Sequence, residues 1–196
     1  MAYTSRRLTD FEGGHFFTND GALHYVEDWD LVIAHPPCTR LCNSGQRWLF
    51  FGDQEYRDKK RKEQLQGVAF FMQIALCGAK HLAVENPSGI MSNLYRKPDC
   101  TYNPYDFAGE TEAKKTCLWL EGLPPLRPTQ QIEKDQITRN LWRAHFEKVR
   151  SFNDPETAKA RSVTPLGVAR AMADQWGAFI EKELEKENVL HNLDLR

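Results

Sequence analysis

Cys38 follows two prolines, Pro36 and Pro37, at the end of one apolar run, and Glu85 stands at the end of another. A thiolate adds to an electron-poor carbon, and a protonated carboxyl holds a ring nitrogen and drains charge from the ring. On cytosine these acts are attack at C6 and a hydrogen bond at the N3 edge, and they leave an enamine whose C5 is nucleophilic. The two groups need opposite shifts. Cys38 requires a lowered pKa, which nearby Arg40 or a following helical turn supplies. Glu85 requires a raised one, which burial supplies. Taken singly, a buried cysteine is most simply inert packing and a strand-end carboxylate most simply a helix cap. The chemistry therefore requires the pair together, and elements that bring the two residues to one place.

Residues 30–34, DLVIA, form a short apolar run halted by His35 and the prolines, the pattern of a buried strand. A Gly- and Asn-bearing loop covers 38–52. From Asp53 to about Cys77 the spacing predicts a helix, basic in its first half and apolar in its second (Val68, Phe71, Met72, Ala75), with Gly78 as its stop. Residues 81–85, HLAVE, read as a second strand closed by Asn86 and Pro87. Strand, crossover helix and strand make a right-handed unit of a parallel sheet, whose chemistry gathers beyond the carboxyl ends of its strands. A thiol and a carboxylate thus arrive at one edge. A third strand is expected over 114–120, and a helix near 139–150. In the last helix Thr164 is the expected cap and Pro165 the first residue, with Val168, Ala169, Met172, Trp176, Phe179 and Ile180 at helical spacing. One domain over 1–180 and a charged tail over 181–196 is the expected organisation.

Composition sets the outer bounds. The 196 residues carry 26 Lys and Arg against 27 Asp and Glu, a net charge of −1, with 41% hydrophobic and 11% aromatic content. That excludes a disordered charged tail and a protein that coats nucleic acid by charge alone. No stretch reaches the roughly 20 apolar residues of a membrane span. Neither a secretory leader nor a membrane partner is expected, and the odd count of five cysteines reads as reduced cytoplasmic thiols. Cys38 and Cys42 lack the further Cys or His that a zinc site needs, so no metal is expected.

Four blocks in order, DLVIAHPPCT (30–39), VENP (84–87), KKTCLWLEGLP (114–124) and RSVTPLGVARAMADQW (161–176), resemble phage and prophage DNA cytosine-5 methyltransferase-like proteins. The resemblance spans residues 14–177. It implies a truncated Rossmann-like methyltransferase sheet, mostly parallel with flanking helices, in an enzyme of the host cell cytosol. It implies Cys38 as nucleophile, Glu85 as the base-binding carboxyl, and Asn86 and Pro87 as shaping the base pocket. Lys114 and Lys115 match basic positions near the pyrimidine and phosphate. S-adenosylmethionine is the cofactor it implies, with DNA or a pyrimidine nucleotide as substrate.

The chain departs from that pattern upstream of Pro36. Residues 14–20, GHFFTND, resemble the family's third-strand block, and residues 1–13 are too few for the strand, helix and strand that bind the cofactor. Phe11-Glu12-Gly13-Gly14 lacks the apolar strand that a cofactor-cradling turn follows. There is also no room for a separate target-recognition domain. Three readings stay open: a methyltransferase whose cofactor pocket is completed by an unusual N-terminus, a dimer mate or another subunit, an S-adenosylmethionine-independent enzyme that removes or exchanges a C5 substituent, and a non-catalytic nucleotide- or protein-binding derivative. Around Cys38, the residues Pro37, Arg40, Asn43, Ser44 and Arg47 are candidates for lining the substrate, with Trp48 placed for base stacking. The run 57–62 is a solvated helix face or a phosphate patch. His35 reads as a structural residue, and Trp119, Trp142 and Trp176 as core. Strand 31–34, stripped of its family neighbour, would be an open edge, to be covered by residues 14–20, a homodimer or a partner subunit.

Overall fold

The computed structural model describes residues 15–17, 23–25, 29–131 and 163–194. The expected helix at 139–150, Trp142, the turn at 11–14 and the start of the last motif at 161–162 lie outside them. The chain divides into two compact units, Met1–Thr101 with Lys115–Gly122, and Tyr102–Lys114 with Leu123–Arg196.

In the first unit, β1 (His15–Phe17) and β2 (Leu23–Tyr25) pair antiparallel as a sheet of their own. A second sheet has four strands: β3 (Val32–Ala34), β4 (Leu82–Pro87), β5 (Cys100–Tyr102) and β6 (Thr116–Glu121), in the order β3-β4-β6-β5. Between β3 and β4 run the one-turn α1 (Asn43–Gln46), a 3-10 turn (Arg47–Leu49) and α2 (Gln54–Ala75). The one-turn α3 (Met91–Leu94) follows β4.

The β3–β4 pair is parallel, with Ala34 opposite Val84, so the strand-helix-strand unit read from sequence is present. The sheet is not mostly parallel, however, because β4 pairs antiparallel with β6. A parallel return needs a crossover of a dozen or more residues, usually a helix. Residues 88–115 hold only α3, β5 and a 3-10 turn (Pro104–Asp106) among their regular elements. A mixed α/β fold with an open four-stranded sheet is what results.

The core of this unit is apolar side chains from both strands and helix. Leu82, Val84, Cys117 and Trp119 of the sheet pack with Phe71 and Ile74 of α2, and with Leu41 and Met91. Phe71 meets Trp119 edge-on, with ring centroids 5.2 Å apart, and the Trp119 indole N–H donates to the Arg96 carbonyl at 2.8 Å. The side chain of Asp53 accepts from the Tyr56 N–H at 2.8 Å and so caps α2. Past Leu76, Gly78 takes a positive φ of 80° and turns the chain toward β4. The strand at 81–85 runs two residues further than expected, because Asn86 and Pro87 pair with Cys117 and Thr116 of β6.

In the second unit, α4 (Leu166–Asp194) continues through the segment expected to be a tail. Pro165 precedes the helix and its carbonyl accepts from the Ala169 N–H at 3.0 Å. The Glu110 carboxylate accepts from the Gly167 N–H at 2.8 Å. A distant acid thus satisfies a first-turn donor near Thr164, the residue expected to cap, and negative charge there also suits the helix dipole. Val168, Met172, Trp176 and Ile180 are buried along one stripe of the helix, and the Trp176 indole N–H donates to the Pro124 carbonyl at 2.9 Å.

Strand β3 ends the four-stranded order, residues 15–17 pair with β2 in a separate sheet, and residues 14 and 18–20 of the segment expected to cover that edge lie outside the described residues. Val32 and Ala34 turn toward the core while Ile33 is exposed.

The loop after β3 is closed against the segment after β4 at very short range. A Cβ added to Gly89 would lie 1.9 Å from the Leu41 carbonyl oxygen, a backbone atom that cannot swing aside. Gly89→Ala is therefore expected to lower stability by about 1–3 kcal/mol in urea unfolding. Gly177→Ala, in a stretch of α4 where nothing lies within 4 Å of the added carbon, serves as the control. It should leave stability unchanged or raise it by up to about 1 kcal/mol.

Candidate active site

The parallel register decides which residues meet. One step beyond the Ala34–Val84 pair stand His35 and Glu85, and His35 Nδ1 lies 2.9 Å from Glu85 Oε2. One step further, the amide of Asn86 donates from Nδ2 to the Pro36 carbonyl at 2.9 Å. The two strand ends are thus tied by side chains where the backbone ladder stops.

The following residues continue the closure. The Asn43 N–H donates to the Ser88 carbonyl at 3.1 Å and the Ile90 N–H to the Leu41 carbonyl at 2.9 Å, with a bridge between Cys42 and Gly89. Cys38 sits in the middle of this closed loop, half-buried, its carbonyl accepting from the N–H groups of Leu41 and Cys42, both at 2.9 Å. Thr39 to Cys42 therefore form a helical turn that begins at the candidate nucleophile.

That turn brings a second thiol into play. The thiols of Cys38 and Cys42 are hydrogen-bonded, and this bond is the main reason the Cys42 pKa falls to about 5. Burial works in the opposite direction and is outweighed with help from Ser44, whose hydroxyl lies 3.2 Å from Cys42 Sγ, and from the Gly45 backbone. The hydrogen bond shared by the two sulfurs thus favours one negative charge on the pair at neutral pH. Gly45 is confined for its own reason, since a Cβ there would lie 1.8 Å from the Thr39 carbonyl oxygen.

Arg40 does not stand beside the thiols as a free cation. Its Nε donates to Glu63 Oε2 at 2.7 Å and its carbonyl accepts from Gln64 Nε2 at 2.9 Å, which fastens the loop to α2. Lys60 also bonds Glu63, at 2.9 Å. Burial of Glu63 favours its neutral form, but the hydrogen bonds from Lys60 and Arg40 hold its pKa below the ordinary value.

The remaining candidates fall into clear places. Pro36 is buried and Pro37 exposed. Asn86 is 1% exposed, and its Oδ1 has no hydrogen-bond partner among the described residues. Pro87 is half-buried beside Thr116, so Lys115, exposed just before β6, belongs to the same sheet edge. Lys114 falls in the second unit and is half-buried. Asn43, Ser44, Arg47 and Trp48 are exposed, with the Arg47 guanidinium 4.9 Å from the centre of the Trp48 ring.

Two participants were not assigned their roles from sequence. His35 read as structural, although a parallel register drawn one residue past Ala34 would have set it opposite Glu85. Cys42 was weighed only as half of a zinc pair, whereas its spacing of four from Cys38 is that of successive turns of helix.

In comparisons with known proteins, the chain matches no family model, no curated protein and no solved structure.

Because the thiolate alone alkylates, the rate at Cys42 is expected to rise as pH climbs through about 5 and to level off before neutrality. Iodoacetamide labelling followed by peptide mass spectrometry reads this directly. In Cys38→Ala the donor is gone, and the Cys42 midpoint should move up toward the ordinary thiol value of about 8.5.

Proposed function

We propose that this chain is a cytosine-5 methyltransferase-like enzyme that acts at C5 of a pyrimidine in DNA or a nucleotide by adding the Cys38 sulfur to C6. The observation that carries the reading is the tied pair of strand ends, with Glu85 held by His35 next to the loop that bears Cys38. A binding module has no need for this combination of thiol pair and fixed carboxyl.

The residues divide the work as follows. Cys38 gives its proton to the Cys42 thiolate as its sulfur bonds to C6, so the neighbouring thiol acts as the base for the nucleophile. Glu85 uses Oε1 for the N3 edge of the ring, because Oε2 is occupied by His35. The ring electrons displaced from the C5–C6 bond are drained toward N3, and C5 becomes the nucleophilic carbon. Asn86 holds the Pro-Pro turn through Pro36 and so shapes the site from beneath. Lys115 and Arg47 supply positive charge for phosphate.

S-adenosylmethionine supplies a methyl electrophile where it is bound. The cofactor strand implied by the resemblance belongs on the outer side of β3, and among the described residues the four-stranded sheet ends there. Cysteine addition at C6 needs no cofactor, and this supports a second reading, S-adenosylmethionine-independent removal or exchange of a C5 substituent. In it the adduct takes a proton from water at C5 and loses the original substituent to water as a cation (a proton, in simple exchange), with the bonding electrons left on C5. Those electrons expel Cys38 as a thiolate that recovers its proton from Cys42.

Trapping with a 5-fluorocytosine oligonucleotide and the matching nucleotide, with and without S-adenosylmethionine, tests the proposal by intact-protein mass spectrometry. Release of tritium from C5 of labelled substrate tests the exchange branch. A covalent adduct or tritium release that vanishes in Cys38→Ala and falls about 10²–10⁴-fold in Glu85→Gln is expected. If neither signal exists in the wild-type chain, or if either survives Cys38→Ala, the proposal is wrong.

A further inference from the structure

Four aromatic side chains crowd the stretch that joins the Cys38 loop to α2, and all four are exposed: Trp48 at 39%, Phe50 at 76%, Phe51 at 56% and Tyr56 at 37%. The backbone accounts for their protrusion. The 3-10 turn Arg47–Leu49 closes with the Phe50 N–H on the Arg47 carbonyl, and Gly52, at φ 80°, turns the chain into the Asp53 cap. Phe50 and Phe51 are carried on the crest between these two turns. Trp48 and Phe51 lie 5.9 Å apart, ring centre to ring centre, and are tilted by 56°.

Apolar faces gathered at a surface in this way mark a contact site, whereas scattered ones do not. The charges around this one select the partner. Residues 47–62 carry six bases against three acids in a chain whose net charge is −1. The acids are partly committed, with Asp53 capping α2 and Asp58 bridged to Arg61. Lys59 and Lys62 are exposed and make no ion pair among the described residues. Arg47 lies flat over Trp48 and Lys60 over the Tyr56 ring, so cations and ring faces alternate.

We propose that this aromatic ledge binds single-stranded nucleic acid, stacking unpaired bases on Phe50, Phe51 and Trp48 while Arg47, Lys59 and Lys62 meet the phosphates. Stacking on protruding rings requires bases free of a duplex, and every base offers such a face, so binding is strand-selective and tolerant of sequence. A free nucleotide engages one ring at most, and a duplex presents only its phosphates. The proposal deepens the reading above, resting on it for the choice of a nucleic-acid partner and selecting the polymer as the form in which substrate is held.

Fluorescence anisotropy with a labelled 20-nucleotide oligo-dT, a duplex of equal length and a single labelled nucleotide tests it, using the full chain. Oligo-dT should bind at least tenfold more tightly than either alternative, with affinity falling steeply as salt rises. Phe50→Ala with Phe51→Ala removes only exposed side chains. It should weaken oligo-dT binding at least tenfold while circular dichroism stays unchanged, and Lys59→Glu with Lys62→Glu should flatten the salt dependence. Equal affinity for duplex, or full oligo-dT affinity in the double Phe variant, overturns the proposal. So does sedimentation showing that the Phe variant merely converts a dimer into a monomer. Cys38→Ala should bind oligo-dT normally, so the two ideas fail separately. Loss of the covalent adduct leaves the ledge standing, and an inert ledge leaves the thiol chemistry standing.

Discussion

Parallel pairing of two short strands is the constraint on which the candidate site depends. A strand of three residues, Val32–Ala34, has little ladder to hold it, and the backbone bonds of the pair stop at Ala34 and Val84. What keeps the following residues in place is side-chain chemistry, with Asn86 reaching the Pro36 carbonyl and His35 meeting Glu85. Proline makes the first of these necessary. Pro36 and Pro37 donate no N–H, so the ladder cannot continue, and the freed carbonyl of Pro36 needs a donor from elsewhere. A buried amide supplies it. The Cys38 turn is then held at its far end by the backbone bonds to Ser88 and from Ile90.

The thiol pair follows from that local folding. A turn beginning at Cys38 brings residue 42 back over residue 38, and the hydrogen bond between the two sulfurs stabilises negative charge on one of them. Two sources of that stabilisation were expected, a following helical turn, which is present, and Arg40, a positive charge only two residues away. The guanidinium is drawn off by Glu63 on α2, where it anchors the loop. Charge proximity in sequence was a poor guide because a long flexible side chain finds the nearest acid in space.

Much of the α/β architecture could be read from residue order, and the reasons differ by element. The helix over 53–77 announced itself through Asp53, its apolar second half and Gly78, and it forms at Gln54–Ala75. Strands β3 and β4 were legible because a buried parallel strand is a short apolar run between breakers. The direction of β6 was not legible, since an apolar run carries no mark of which way it points. It became antiparallel because the connection from β4 holds no crossover helix. Asn86 and Pro87 look like breakers in one dimension, yet both pair with β6, Pro87 as the last residue of the ladder, where no donor is needed. The partners of Glu85 and Cys38 were hidden for a simpler reason. Their identification needs the register, and the register is a property of two strands together.

The way the two compact units share the polypeptide bears on how the protein is made. The chain leaves the first unit after Thr101, returns for Lys115–Gly122, and leaves again, so no single cut releases either unit as one continuous piece. During synthesis, β4 emerges well before β6, the strand that lies along its second side. Until residue 121 clears the ribosome, Leu82 and Val84 belong to a sheet still lacking an inner neighbour. A nascent chain halted in that interval displays an apolar strand to solvent, the kind of surface that chaperones recognise and that aggregation exploits.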